Sequence, residues 1–384
     1  MGLERGYANQ VPDRLCPIPM NRKVVIITGA AGFLGSAVTV DLCRDYTVVA
    51  VDCREPSRTL LAAAPGVGWH RVDIADAEAL AAVFRQTVTS VGRVDLVIHF
   101  AAFYHFGIDW REEYEQTNVQ GTAHVVQSSA KHGVERLIFA SSIAAMCPRS
   151  DTEVLTHETP TADYIPYAKT KMLGEQAVRE ASDRLPAIVL RIGGVFSDWC
   201  ELPPLWSLLK LWGGRSPLSR LVVGRGRSGM PYIHRDDLVR IVRACVERQS
   251  GLGRYEVFLA SQQGAVTHGE LFAAVRRTLR KTTGKPIFLA SGLAKFGLNA
   301  QHVLSYLTGR VPFEHPWMLQ FTDRPWVADT TYTRSKLGLL PTEGLGLLER
   351  LPVLLASFQH DRRRWEDRNR LRADGRYAYG GEDP

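Results

Sequence analysis

Val24-Val25-Ile26-Ile27-Thr28-Gly29-Ala30-Ala31-Gly32-Phe33-Leu34-Gly35 is the stretch that decides the fold. Four branched apolar residues in a row read as a strand buried on both faces, as in a parallel sheet. Glycines at 29, 32 and 35 follow, and a helical run covers 36–44. One glycine permits a tight turn, a second lets backbone amides approach a pyrophosphate, and a third lets the helix pack close to its strand. The helix N-terminus adds unpaired N–H groups and partial positive charge. Strand, glycine turn and helix together read as a dinucleotide-binding fingerprint.

Working outward, Thr47-Val48-Val49-Ala50-Val51 reads as a second strand ending at Asp52, 23 positions after Gly29. A carboxylate at about this distance holds the ribose hydroxyls and repels the extra phosphate of NADP, which favours NAD. Arg54 and Arg58 temper that preference. Strands over 69–74, 94–100, 136–142 and 186–192 alternate with helices over 76–87 and 110–131 and a helix from Tyr167. Such alternation predicts an α/β fold with a doubly wound parallel (Rossmann) sheet and right-handed crossovers, followed by a smaller C-terminal substrate domain. Ligands of such sheets bind at the carboxyl ends of the strands. Asp73, Ala101, Ala102, Ser141 and Ser142 fall at such ends.

The predicted division is a loose arm over 1–22, a cofactor domain over 23–198 with 225–260 returning to it, a substrate-binding part over 199–224 and 261–360, and a charged tail over 361–384. The tail, with seven arginines and six acids, reads as solvated or disordered. The run 199–212 is rich in tryptophan and leucine. It fits either an apolar lid over a substrate or ordinary helix core. Further elements are expected at 254–260 and 268–281, with an amphipathic, partly helical segment over 285–310.

Across 384 residues the net charge is +7, from 47 basic and 40 acidic residues. No basic stripe with interleaved aromatics appears, which argues against nucleic-acid binding. Six scattered cysteines without a Cys-x-x-Cys pair fit reduced thiols in a cytoplasmic protein rather than disulfides or a metal site. Residues 1–20 lack the apolar core of a signal peptide, and no apolar run reaches the ~18 residues of a transmembrane segment.

The second chemical signal is Tyr167-Ala168-Lys169-Thr170-Lys171. On a helix Tyr167 and Lys171 share a face. A phenol with a pKa near ~10 is a poor acid–base catalyst at neutral pH, and a nearby ammonium draws it down. Tyr-x-x-x-Lys pairs are common on helix surfaces. This one follows the strand-end Ser142, whose hydroxyl could orient a carbonyl or alcohol, on a glycine-fingerprint sheet.

These motifs, with Asp73-Ile74, His99-Phe100-Ala101-Ala102, Asn118 to Thr122, Leu190-Arg191 and Ile233 to Asp237, resemble the extended short-chain dehydrogenase/reductases, the NAD-dependent epimerase/dehydratase group, over about 23–345. The resemblance implies Tyr167 as acid–base, Lys171 on the nicotinamide ribose, Ser142 on the reacting oxygen, and Asn118 supporting a helix and a proton-relay water. Gly29, Gly32, Phe33, Leu34, Gly35, Asp52, Asp73, Ile74, Phe100, Ala101, Ala102 and Gly193 would join Tyr167 and Lys171 around the cofactor. His234 to Asp237 would order a loop, and His99 would pack at a strand end. Ser142 is followed by Ile143-Ala144-Ala145-Met146, with no carboxylate to remove a carbon-bound proton, which argues against elimination. Where epimerases of the family usually carry an asparagine after the Leu-Arg strand, this chain reads Arg191-Ile192-Gly193-Gly194-Val195-Phe196, and Met146-Cys147 replaces the usual Tyr-Gly. Both changes remove polar contacts to a nucleotide diphosphate. The sequence is therefore similar to the 3β-hydroxysteroid-dehydrogenase side of the family. It implies an NAD-dependent oxidoreductase interconverting a secondary alcohol and a ketone, with an apolar or small substrate; a nucleotide-sugar epimerase with tightly bound NAD is the alternative. Family members often pair through helices equivalent to 110–131 and 167–182, so a homodimer is expected.

Overall fold

The computed structural model describes residues 22–147, 149, 150, 152–281, 284–308, 313–373, 377 and 379–381. The arm expected over 1–22 lies, apart from Arg22, outside the described residues. Strands β1 (Val24–Thr28), β2 (Thr47–Asp52), β3 (Gly68–Arg71), β4 (Leu96–His99), β5 (Arg136–Ser142), β6 (Ala187–Ile192) and β7 (Tyr255–Ala260) form one parallel sheet in the order β7-β6-β5-β4-β1-β2-β3. The chain runs outward from β1 to β3 and then returns to β4 on the other side of β1. That reversal is the switch point where α/β sheets bind ligands. Thr28 pairs with Val51 on one side and His99 on the other, so the carboxyl ends of β1, β2 and β4 are level.

All five residues of β1 are buried, as expected of a strand covered on both faces. Val25 and Ile27 pack beneath α1 (Phe33–Leu42), whereas Val24 and Ile26 face the helix α2 (Ala77–Val91). Asp76 caps α2 by accepting from the amides of Glu78 and Ala79, and Gly92 ends it in the left-handed conformation. The expected 110–131 helix begins as a π-type turn over Tyr114–Gly121 and continues as α3 (Thr122–Lys131). Helix α4 (Pro166–Ala181) carries the Tyr167–Lys171 pair.

Helices α5 (Pro203–Gly213), α6 (Arg235–Glu247), α7 (His268–Arg280), α8 (Ser291–Thr308), α9 (Leu347–His360) and α10 (Arg362–Ala373) follow. Leu205, Leu209 and Trp212 of α5 are buried against Leu271 and Phe272 of α7 and against Leu354 and Phe358 of α9. The tryptophan- and leucine-rich run is therefore helix core, and the lid reading falls away. The tail expectation needs correction too. Helix α10 buries Trp365 completely against Phe358 and Trp206. Its Arg368 forms a buried ion pair with Glu201 at 2.5 Å, and Asn369 donates to the Trp199 carbonyl. One tryptophan at helical spacing from two polar residues with buried partners is enough to dock a helix that is otherwise highly charged.

Candidate active site

The level strand ends force the glycine turn. Gly29 has a φ of +70°, and a side chain there would stand 2.6 Å from the Ala101 amide. At Gly35 an added Cβ would come within 2.0 Å of the Gly29 carbonyl. Gly32 occupies the N-cap of α1 and provides no side-chain cap, so this end of the helix is open to an anion. Asp52, buried at the end of β2, accepts from the Ala31 amide at 2.9 Å and from Arg54 through its amide and Nε. Its carboxylate thus holds the turn in shape and draws Arg54 toward the same rim. Phe100 donates its amide to the Thr28 carbonyl, which lays 100–102 along the turn. Asp73 closes its own loop by accepting from the Ala75 amide, while Ile74 is buried against Gly121. Gly193 packs against Pro231 and Ser261 at the end of β6.

The fold places Ser142 and Lys171 near Tyr167. Ser142 lies near enough to the Tyr167 hydroxyl to lower its pKa slightly, and its own Oγ accepts from the Ala144 amide at 3.0 Å. Lys171 is buried, donates to the Ala140 carbonyl at 2.8 Å, and holds its ammonium 5.8 Å from the Tyr167 ring. The protonation balance differs from the expectation. Burial pushes the Tyr167 phenol well above its ordinary value, against smaller lowering effects from Ser142 and the Arg372 charge. Burial also draws Lys171 down to about 8, partly opposed by Glu175. The ammonium is therefore not the influence that dominates the phenol in this arrangement.

Asn118 lies inside the π-type turn and is buried. It donates to the Phe103 carbonyl and to Thr170 Oγ1, and accepts from the Phe103 amide at 2.7 Å. These bonds tie the loop after β4 to α4. His99 bridges Thr28 and Thr122 at 2.7 and 3.0 Å, and burial lowers it to about 3, so it is a neutral packing group. His234 caps α6 and faces Asp198 at 3.3 Å. His234 and Arg350 hold that carboxyl far below its usual range.

Several site residues were not singled out from the sequence. Tyr104 and Phe106 set their rings 5.4 and 5.1 Å from Tyr167. Trp317 donates to the Phe106 carbonyl and packs near Tyr164. Below the site Ser141 donates to Glu175, and Arg191 grips the same carboxylate through Nε and Nη2. Glu175 follows Lys171 by one helical turn, a spacing that could have exposed it. From the C-terminus, Arg372 lies over both Phe33 and Tyr104 at 5.3 and 5.0 Å, and its buried Nε meets no acceptor among the described residues. Tyr377 stands edge-on to Phe33 at 5.1 Å and hydrogen-bonds Arg235. Only long-range packing joins these residues to the fingerprint, so no local pattern announced them.

Among the described residues no cluster of His, Cys, Asp and Glu is arranged to hold a metal ion, and no helix is long and apolar enough to cross a membrane.

A parallel sheet whose switch point presents a glycine cradle and an uncapped helix N-terminus is the architecture of a dinucleotide-binding enzyme. The description "NAD dependent epimerase/dehydratase family" matches residues 25–260, and the chain belongs to that family, whose members are enzymes of the extended short-chain dehydrogenase/reductase type. It is similar to UDP-glucose 4-epimerase 2 of Oryza sativa subsp. japonica, 33% identical over 175 residues, 42% of this chain and 41% of that protein. To dTDP-D-glucose 4,6-dehydratase of Mus musculus it is 28% identical over 181 residues, 45% of this chain and 51% of the other. The chain thus spans about half the length of the curated relatives it matches. The solved UDP-glucose 4-epimerase of Thermotoga maritima superposes with a TM-score of 0.65 at 21% identity, over 88% of this chain and 99% of that one, and shares the fold.

Proposed function

We propose that this enzyme interconverts a secondary alcohol and a ketone with NAD, and that its substrate presents an apolar body to the site. The observation that carries the proposal is the buried Tyr167 phenol, near Ser142 and enclosed by Tyr104 and Phe106. NAD supplies the hydride acceptor and donor. Gly29, Gly32, Phe33, Leu34, Gly35 and Asp52 would hold its pyrophosphate and ribose, and the turn has no room for a side chain at 29 or 35. Asp73 and Ile74 would lie at the adenine, Phe100 to Ala102 along the dinucleotide, and Lys171 at the nicotinamide ribose. Arg372 offers a further donor beside Phe33. Ser142 would orient the reacting oxygen while Tyr167 takes or returns its proton; Asn118 fixes the loop that carries the aromatic wall. In this reading 23–198 with 225–260 serve the cofactor, and 199–224 with 261–360 serve the substrate.

A nucleotide-sugar epimerase is the second reading, favoured by the names of the relatives. There the hydride leaves and returns with no net NADH. Incubation with NAD and either apolar secondary alcohols or UDP-sugars separates the two. NADH formed from an apolar alcohol supports the first reading. Isomerisation of a UDP-sugar without net NADH would overturn it.

A further inference from the structure

The net charge of +7 is unevenly placed. Residues 202–235 and 271–313 contain 13 basic residues and no acid, so the remainder of the chain carries a net charge of −6. The fold brings these two acid-free runs together. Strand Leu221–Val223 pairs with strand Ile287–Leu289, Arg220 donates to the Lys285 carbonyl at 2.9 Å, and Arg276 reaches Ser219. Lys210, Arg215, Arg277, Lys281, Lys285 and Lys295 are exposed. Of three neighbouring acids, Glu270 accepts from Thr267, Asp323 accepts from the amides of Arg225 and Arg227, and Glu314 stands beside α8 with its carbonyl bonded to His302.

The same runs expose apolar side chains. Among the described residues, eight of 15 large exposed hydrophobic residues lie here, including Leu218 at 62%, Phe288 at 55%, Leu293 at 65% and Phe296 at 77%. Helix α8 shows why this is a face. At ~100° per residue, Leu293, Phe296, Ala300, Val303 and Leu304 fall within about 100° of arc. All five are exposed, while Ala294 on the opposite side is buried. The apolar stripe of α8 thus points away from the protein. Leu218, three residues before the first of the paired strands, and Ile287 and Phe288 in the second are exposed as well.

An outward apolar stripe within runs whose charged residues are all lysine and arginine matches an anionic bilayer surface: apolar groups enter the acyl boundary and basic groups meet the headgroups. We propose that this face, built from residues 210–221, 277–281 and 284–304, docks the protein peripherally on anionic phospholipid membranes. The placement also suits the site. A cleft of about 410 Å³ lies between Ser291–Lys295 of α8 and Pro316–Gln320. Trp317 on its wall hydrogen-bonds Phe106, which packs on Tyr167. Resting on the apolar-substrate reading, this cleft would receive substrate from the lipid; the docking itself stands on charge and exposure alone.

The test is co-sedimentation of the full chain with vesicles of phosphatidylcholine alone or mixed with phosphatidylserine, over a salt series. The expected result is binding to the anionic vesicles, weakened by salt. Lys281→Ala with Lys285→Ala should lower partitioning on the order of 30-fold, about fivefold per charge. Leu293→Asp with Phe296→Asp should abolish binding while leaving the melting temperature and NAD affinity unchanged, since neither side chain touches the core or the fingerprint. Binding that ignores lipid charge, or that survives the aspartate variant, would overturn the proposal. So would a concentration-dependent dimer lost in that variant with no vesicle binding, which would make the occupant a second copy. None of these outcomes depends on which substrate the enzyme turns over.

Discussion

Replacing Trp365 with alanine asks whether the last helix belongs to the folded body. Its indole is wholly buried, edge-on to Phe358 at 4.9 Å and near Trp206 at 6.4 Å. Truncating a buried tryptophan costs about 3–5 kcal/mol, whereas a change on a solvated tail stays within about 0.5 kcal/mol. Unfolding entropy of about 2.1 cal/mol/K per residue amounts to roughly 0.8 kcal/mol/K over this chain, so the melting midpoint should fall by about 4–6 °C. A solvated tail would give less than about 1 °C on the same scale. Differential scanning calorimetry reads the shift directly. Because α10 carries Arg372 to Phe33, the variant should also bind NAD more weakly. A midpoint within 1 °C of wild type, with unchanged NAD affinity, would refute the docked helix.

Three further outcomes follow from the site. Gly35→Ala would force a Cβ to within 2.0 Å of the Gly29 carbonyl. Displacing the turn by this much should cost at least ~100-fold in NAD affinity by calorimetry; a change under twofold would contradict the cradle. Asp52→Ala should weaken NAD and raise the NADP-to-NAD preference by at least ~10-fold, as a repelling charge is removed; an unchanged ratio would take the carboxylate off the ribose. His99 is held neutral, with its folded value about 3 against an ordinary 6.5. A depressed folded value means the unfolded chain binds the extra proton, so this contribution is present above pH 6.5 and is lost as pH falls toward 3. At pH 5 the loss is about 2 kcal/mol. His99→Gln should flatten the pH dependence of urea unfolding between 6.5 and 5, and an unaltered slope would refute it.

What the sequence made legible was local and periodic. Val24 to Gly35 specified a buried strand, a turn with no room for side chains and an open helix end, because each depends on residues a few positions apart. Asp52 and the Tyr167–Lys171 face were readable for the same reason. What failed depended on partners far along the chain. The 361–384 run reads as solvated because its charges outnumber its apolar residues, yet Trp365, Arg368 and Asn369 find partners at Phe358, Glu201 and Trp199. The 199–212 run offered two readings, since a lid and a helix core share one composition; only the position of α7 and α9 decides between them. The burial of the phenol was not legible either. Proximity to Lys171 is visible in the spacing, but the burial that raises the phenol is not, and Tyr104 and Phe106 reach its ring from a loop with no periodic signal.

The central claim is that Tyr167 carries the proton while the fingerprint independently holds NAD. Tyr167→Phe tests it most directly, since the ring keeps its packing against Tyr104 and Phe106 and loses only the hydroxyl next to Ser142. Measured on the purified variant, turnover should fall by about 10²–10⁴-fold while NAD affinity stays near wild type. Turnover close to wild type would contradict the account.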